Sequence, residues 1–111
     1  MSLAIRDMQR EAFKNAKAHG FWEGPVNVPE KLALIHSEVS EALEEFRNNP
    51  SEPRADYRIV NGKPEGMAIE LADCVIRIGD FCEAFGIDLA GAITEKMAYN
   101  KTRPIKHGKR I

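Results

Sequence analysis

The segment between Pro64 and Gly86 constrains the fold most, because as a helix it is apolar around nearly its whole circumference. The principal polar residues that interrupt this pattern are Glu70, Asp73, Arg77 and Asp80. A helix that is apolar nearly all round must be buried nearly all round. The rest of a 111-residue chain offers too few helices to cover every side of this one. We therefore predict a homodimer, or a homotetramer built from dimers, in which a second copy supplies the missing neighbours through a two-fold contact.

The sequence predicts a single all-α domain over residues 1–111, with a protomer of four-helix bundle type. Apolar residues at three- and four-residue steps predict four helices, at 2–18, 29–47, 64–85 and 89–100, with Asp88 as the N-cap of the last. Residues 49–63 contain two prolines and an Asn61-Gly62 turn signal, which predict a loop with a short extended piece at 57–60. Because the link between the third and fourth helices is short, we expect these helices to be antiparallel neighbours.

Composition excludes several classes of protein. Sixteen basic and seventeen acidic side chains give a formal net charge of −1, without the basic excess of a nucleic-acid binder. No apolar run approaches the roughly 18–20 residues of a membrane span, and charged residues occupy the place where a signal peptide would need an apolar core. Cys74 and Cys82 lie eight residues apart on one predicted helix, too far for a disulfide, and free thiols suit a reducing compartment. We expect a cytoplasmic protein with neither a nucleic acid nor a membrane as partner.

Two pairs of carboxylates carry the chemistry. Glu38 and Glu41 lie on the second predicted helix, and Glu70 and Asp73 lie on the third. Two residues three apart project from the same face of a helix, and in both helices that face is otherwise apolar. Carboxylates embedded in an apolar face are costly unless they are paired or bind a cation. If the two helices pack antiparallel, the pairs converge into one cluster with about four negative charges.

A hard divalent cation resolves the repulsion in such a cluster. Ligands that are all oxygen favour Mg²⁺, with Mn²⁺ as its substitute. The histidines, at 19, 36 and 107, are too scattered for a zinc site, and the chain lacks the Glu-x-x-His pairs of a di-iron bundle. The sequence therefore predicts an Mg²⁺ site at Glu38, Glu41, Glu70 and Asp73.

The runs HSEVSEA, at 36–42, and GMAIELAD, at 66–73, resemble the E-x-x-E … E-x-x-D signature of the all-α NTP pyrophosphatases, in particular the MazG-like nucleotide pyrophosphohydrolases. The resemblance extends over about residues 5–110 and includes Gly-Phe-Trp at 20–22 and a C-terminal Lys96…Asn100…Arg103 pattern. Two positions depart from relatives. Ser37 stands where many have glutamate, and the residues after Asp73 lack the aromatic-His pair of phosphoribosyl-ATP pyrophosphohydrolases.

The resemblance implies hydrolysis of a nucleoside triphosphate to the monophosphate and pyrophosphate by a metal-activated water. The four carboxylates would hold two or three Mg²⁺ ions, and either Glu38 or Glu41 would accept the proton of the water. The resemblance also implies assembly from helical dimers. Two alternatives stay open from the residues alone. One is an enzyme of the phosphoribosyl-ATP pyrophosphohydrolase kind, and the other is a non-catalytic helical interaction module with solvated acidic faces.

Four further residues are candidates for binding the substrate. Lys96, Asn100 and Arg103 step by four and three, so they form one stripe if the fourth helix extends that far. This stripe would bind the phosphate tail, or it would be a solvated basic helix end that complements the helix dipole. Trp22 would stack on the nucleobase, or it would be a hydrophobic plug.

Overall fold

Four α-helices form most of the protein, which confirms the predicted all-α class. The computed structural model describes residues 4–48 and 57–108. Its helices are α1 Ile5–Ala18, α2 Val28–Asn48, α3 Met67–Ala84 and α4 Leu89–Lys101. A 3₁₀ turn, Ile105–Gly108, follows α4. The predicted helix start at Ser2, and most of the loop predicted at 49–63, lie outside the described residues.

A small β-hairpin precedes α3. The extended piece predicted at 57–60 is confirmed as β1, Arg58–Val60, which pairs antiparallel with β2, Lys63–Glu65. Asn61 and Gly62 join the strands with positive φ angles of 53° and 79°, as a tight hairpin turn requires. The prediction that α3 begins at Pro64 is wrong, because Pro64 lies in β2 and pairs with Ile59. The helix begins at Met67, after Gly66 turns the chain at φ 124°.

The central helix is α3, which packs against α1 on one side and α2 on the other. Gly79 brings α1 and α3 close together, since a Cβ atom there would lie 2.5 Å from Met8 Sδ and 3.4 Å from Gln9 Cα. The buried Gln9 side chain then joins α1 to the end of α3. Its Nε2 donates to Glu83 Oε1 at 3.1 Å and to the Ile87 carbonyl at 2.7 Å. The position of α1 on α3 is therefore fixed by both packing and hydrogen bonds.

One apolar face of α2 has no partner within the described chain. Glu38 and Ala42 are the buried residues of this helix. Val39, Leu43 and Phe46 remain 50%, 47% and 39% exposed, although they belong to the apolar pattern that predicts the helix. On α3, Leu71 and Val75 are similarly exposed, and no large side chain among the described residues is fully buried. A single chain therefore leaves much of its apolar surface in water.

The fourth helix begins as predicted but packs elsewhere. Asp88 caps α4, since its Oδ1 accepts from the Gly91 amide at 3.1 Å. The expectation that α3 and α4 are antiparallel neighbours is wrong, because α4 packs against α1 rather than along α3. Asp88 contributes to this direction by pairing with Arg6 of α1 at 3.2 Å. Along the described ranges, no helix combines the length and the apolar character needed to cross a membrane.

Candidate metal centre

Three of the four predicted carboxylates converge where α2 packs on α3. One carboxylate oxygen from each of Glu38, Glu41 and Glu70 lies within 4.8 Å of the other two. Glu38 is buried, Glu41 is exposed and Glu70 is intermediate. The three oxygens therefore surround a small volume that opens to solvent on the Glu41 side.

The electrostatics of this cluster are unfavourable for three negative charges. The pKa of Glu70 is raised from 4.5 to about 7, first by burial and then by a hydrogen bond with Glu41. The charges of Glu41, Asp73 and Glu38 raise it further. A proton on Glu70 therefore relieves the repulsion in the metal-free cluster, and a bound cation would favour the ionised form.

Glu38 gives the second and independent sign of a ligand site. Its Oε1 accepts a hydrogen bond from Arg77 Nε at 2.7 Å. Its Oε2 is buried and has no hydrogen-bond partner among the described residues. Leaving a buried carboxylate oxygen without a donor costs free energy. A cation bound by the cluster would satisfy this oxygen, and the all-oxygen donor set fits a hard divalent ion.

Asp73, the fourth predicted ligand, lies beside the cluster rather than within the three-oxygen group. Burial raises its pKa most, and the charge of Glu38 raises it further. The charges of Arg77 and Lys63 act in the opposite direction. Asp73 and Glu38 also line a neighbouring cavity, so the two acidic residues connect the cluster to that space.

This cavity of about 240 Å³ lies among α1, α2, α3 and the connector before α2. Its polar lining has acidic residues, Glu38, Asp73 and Asp80, and two cations, Lys31 and Arg77. Aromatic side chains, including Phe21, Trp22 and Phe81, supply apolar walls. The arrangement places carboxylates, cations and aromatic rings around one space of small-molecule size.

Trp22 lines the cavity from a fixed position. Its Nε1 donates to Asp80 Oδ1 at 2.7 Å. The Lys31 ammonium lies 4.3 Å from the centre of the indole ring, and the ring also packs against Phe13 and Phe85. These contacts favour the packed alternative for most of the ring. Its cavity side remains available to a ligand, and the neighbouring Phe21 is exposed.

The C-terminal candidate residues lie outside the cavity that adjoins the cluster. None of Lys96, Asn100 and Arg103 lines the cavity. Because α4 ends at Lys101, Arg103 lies beyond the helix rather than on its stripe. The Lys96 ammonium and the Arg103 guanidinium lie 4.9 Å and 5.5 Å from the centre of the Tyr99 ring. Two members of the predicted substrate stripe therefore lie around Tyr99, and all three lie outside the cavity lining.

Sequence reasoning gave no role to Arg77, Asp80 or Lys31. A signal was present for two of them, since Asp73, Arg77 and Asp80 step by four and three along α3. They form the single polar line of an otherwise apolar helix. The pairing of Arg77 with Glu38 depends on how α2 and α3 are rotated against each other, which local spacing does not specify.

Comparison of the chain with protein-family models, with characterised proteins and with solved structures found no match.

Proposed function

We propose that this protein is an Mg²⁺-dependent nucleoside triphosphate pyrophosphohydrolase, which converts a (d)NTP and water into the (d)NMP and pyrophosphate. The observation that carries the proposal is the buried Oε2 atom of Glu38, which has no donor in the described part of the chain and belongs to the cluster with Glu41 and Glu70. The resemblance of the two carboxylate motifs to the MazG-like enzymes points to the same chemistry. The adjoining cavity, with its cations and aromatic rings, suits a nucleotide.

Glu38, Glu41, Glu70 and Asp73 are the residues that would hold the metal. When bound there, Mg²⁺ would lower the pKa of a water molecule and neutralise charge on the triphosphate. The raised pKa of Glu70 indicates that its ionisation is unfavourable in the metal-free cluster, which therefore favours a proton on this residue. The cluster is therefore suited to exchange this proton for a cation.

We assign the proton-accepting role to Glu41. Of the two candidates, Glu38 is buried and already bonded to Arg77, whereas Glu41 is exposed. A base at the solvent side of the cluster can take the proton of the attacking water and release it to bulk solvent. Phe21, Trp22 and Phe81 would provide the apolar walls against which the nucleoside packs.

We further propose that the working protein is a homodimer, or a homotetramer built from dimers. The radius of gyration of 16.4 Å exceeds the roughly 13 Å of a compact domain of about 100 residues. The exposed apolar residues Val39, Leu43 and Phe46 on α2, with Leu71 and Val75 on α3, are the surface that a second copy would cover. In this assembly, the basic residues of α4 would reach the phosphates of a site across the subunit interface.

The decisive experiment is an incubation of the purified protein with Mg²⁺ and a panel of (d)NTPs, with the products separated by chromatography. We expect a monophosphate and pyrophosphate, and no activity in EDTA. Phosphoribosyl-ATP belongs in the panel, because preference for it would establish the related enzyme instead. A protein that releases no pyrophosphate from any of these substrates would contradict the proposal and favour the interaction module.

A further inference from the structure

Arg77 is the cation closest to the carboxylate cluster. It extends from the middle of α3 to α2, where its Nε donates to Glu38 Oε1 at 2.7 Å. The Glu38 side chain is 9% exposed and the Arg77 side chain is 35% exposed. One end of this ion pair is therefore buried beside the metal cluster, and the other end faces solvent in the cavity.

The bond to Glu38 uses only the inner nitrogen of the guanidinium. Within the described part of the chain, the two terminal amino groups of Arg77 have no hydrogen-bond partner. Arg77 lines the cavity together with Asp73 and Asp80. Burial raises the pKa of Asp80 most. The hydrogen bond from Trp22 and the charges of Lys31 and Arg77 lower it, so Arg77 also acts on a second carboxylate of the cavity wall, three residues along α3.

The other cavity cation is already committed. Lys31 Nζ donates to the Phe21 carbonyl at 2.6 Å and lies over the Trp22 ring. A planar guanidinium with free terminal donors matches the oxygens of a phosphate, with which it forms two parallel charged hydrogen bonds. Arg77 is therefore the cavity residue best suited to bind an anion.

We propose that Arg77 is a phosphate-binding residue that Glu38 holds in place until a divalent cation binds. In the metal-free protein the guanidinium neutralises the buried carboxylate of Glu38. A cation at the cluster takes over this neutralisation and frees Arg77 to donate to a phosphate oxygen of the substrate, a role that rests on the pyrophosphohydrolase function proposed above. Arg77 and the metal, which face different oxygens of Glu38, then compete for its negative charge but cooperate in binding the triphosphate.

This exchange predicts opposite effects on two affinities. Removing the charge of Arg77 removes both a competitor for Glu38 and a repulsive cation, so Mg²⁺ alone should bind more tightly. Removing the terminal donors should weaken the binding of a triphosphate. If Arg77 only held α2 against α3, its replacement would loosen the cluster and lower both affinities together.

The test compares Arg77→Gln, Arg77→Lys and a matched control, Arg47→Gln, by titration calorimetry. Arg47 pairs with Glu44 on the exposed side of α2. The ligands are Mg²⁺ alone and then inorganic tripolyphosphate at saturating Mg²⁺. For Arg77→Gln we expect Mg²⁺ to bind about threefold or more tightly and tripolyphosphate to bind about tenfold or more weakly. The control should match the wild type.

Arg77→Lys keeps the inference open to refutation if the glutamine variant does not fold. Lysine retains the charge but lacks the two parallel donors of the guanidinium. Mg²⁺ affinity should therefore stay near that of the wild type, while tripolyphosphate affinity falls. Mg²⁺ affinity that is unchanged or reduced in Arg77→Gln, or tripolyphosphate affinity that is unchanged in either variant, would overturn the inference. These titrations involve no nucleotide hydrolysis. Failure to release pyrophosphate therefore refutes the proposed function and leaves the result on Arg77 standing.

Discussion

Replacing Glu70 with glutamine should stabilise the metal-free protein at alkaline pH. The pKa of Glu70 is raised from 4.5 to about 7 in the folded protein, by burial first and then by Glu41 and the other carboxylates. The folded protein therefore binds this proton more tightly than the unfolded chain does. The resulting stabilisation is fully present below pH 4.5 and is lost as the pH rises through 7. Glu70→Gln removes one group that must ionise, so its stability should fall less than that of the wild type over this range.

The size of the effect follows from the two pKa values. Each pH unit between them corresponds to about 1.36 kcal/mol. Ionisation of Glu70 therefore lowers the free energy of unfolding by at most about 3 kcal/mol. Glu70 keeps contact with solvent, and solvent screening reduces this limit to about 1–2 kcal/mol. In a domain of this size 1 kcal/mol moves the melting temperature by roughly 4–8 °C. We therefore expect Glu70→Gln to melt at least about 4 °C above the wild type at alkaline pH.

The assay is thermal unfolding in EDTA at about pH 5 and about pH 8.5, followed by the same scans in millimolar Mg²⁺. At the acidic pH the variant and the wild type should melt at similar temperatures. Mg²⁺ should stabilise the wild type, by about 2.7 kcal/mol at 100 times its Kd, and should stabilise the variant much less. The matched control is Glu44→Gln, which removes an exposed carboxylate of α2 that pairs with Arg47 of the same helix, α2. A Glu70→Gln variant that is no more stable than the wild type at alkaline pH would refute the repulsion argument.

Three further predictions address catalysis, substrate binding and assembly. Glu41→Gln should lower kcat by about 100-fold or more without lowering the melting temperature in EDTA, and near-wild-type turnover would remove Glu41 from the mechanism. Lys96→Ala and Arg103→Ala should raise KM for the triphosphate more than they change stability, as steady-state kinetics and melting curves will show. Equal losses in both measurements would identify these residues as a helix end with no substrate role. Leu43→Lys should shift the sedimenting species towards the monomer, and an unchanged mass would exclude the α2 face from the interface.

The sequence predicts the helices and the placing of each acidic pair on one helix face because both depend on local spacing. Apolar residues at three- and four-residue steps specify which segments are helical. Glu38 and Glu41, like Glu70 and Asp73, share a helix face whatever the rest of the fold does. When α2 and α3 pack, three of these four carboxylates come within 4.8 Å of one another.

Features that depend on distant partners escape local reasoning. Pro64 resembles a helix start, but pairing with Ile59 holds it in a strand, and no local pattern weighs one against the other. The packing of α4 on α1 likewise joins distant parts of the chain, as the Arg6–Asp88 pair between residues 82 apart shows. The same applies to Arg77 and Glu38, which are 39 residues apart and meet only at one rotation of α2 against α3. The sequence therefore shows Arg77 as a polar residue on an apolar helix, but it does not show that Arg77 pairs with Glu38.

Because Gly79 has no side chain, α1 lies close to α3 there, and this close approach affects the width of the cavity. The wall that α1 contributes, which includes Ala12 and Ala16, faces the α3 wall that includes Ile76 and Asp80. The spacing of these walls depends on the close approach at Gly79, where an added Cβ would meet Met8 and the backbone of Gln9. A methyl group at this position would displace the end of the Met8 side chain and press on the Gln9 backbone, so it would act as a spacer between α1 and α3. The width of the cavity therefore depends in part on a glycine that does not itself line it.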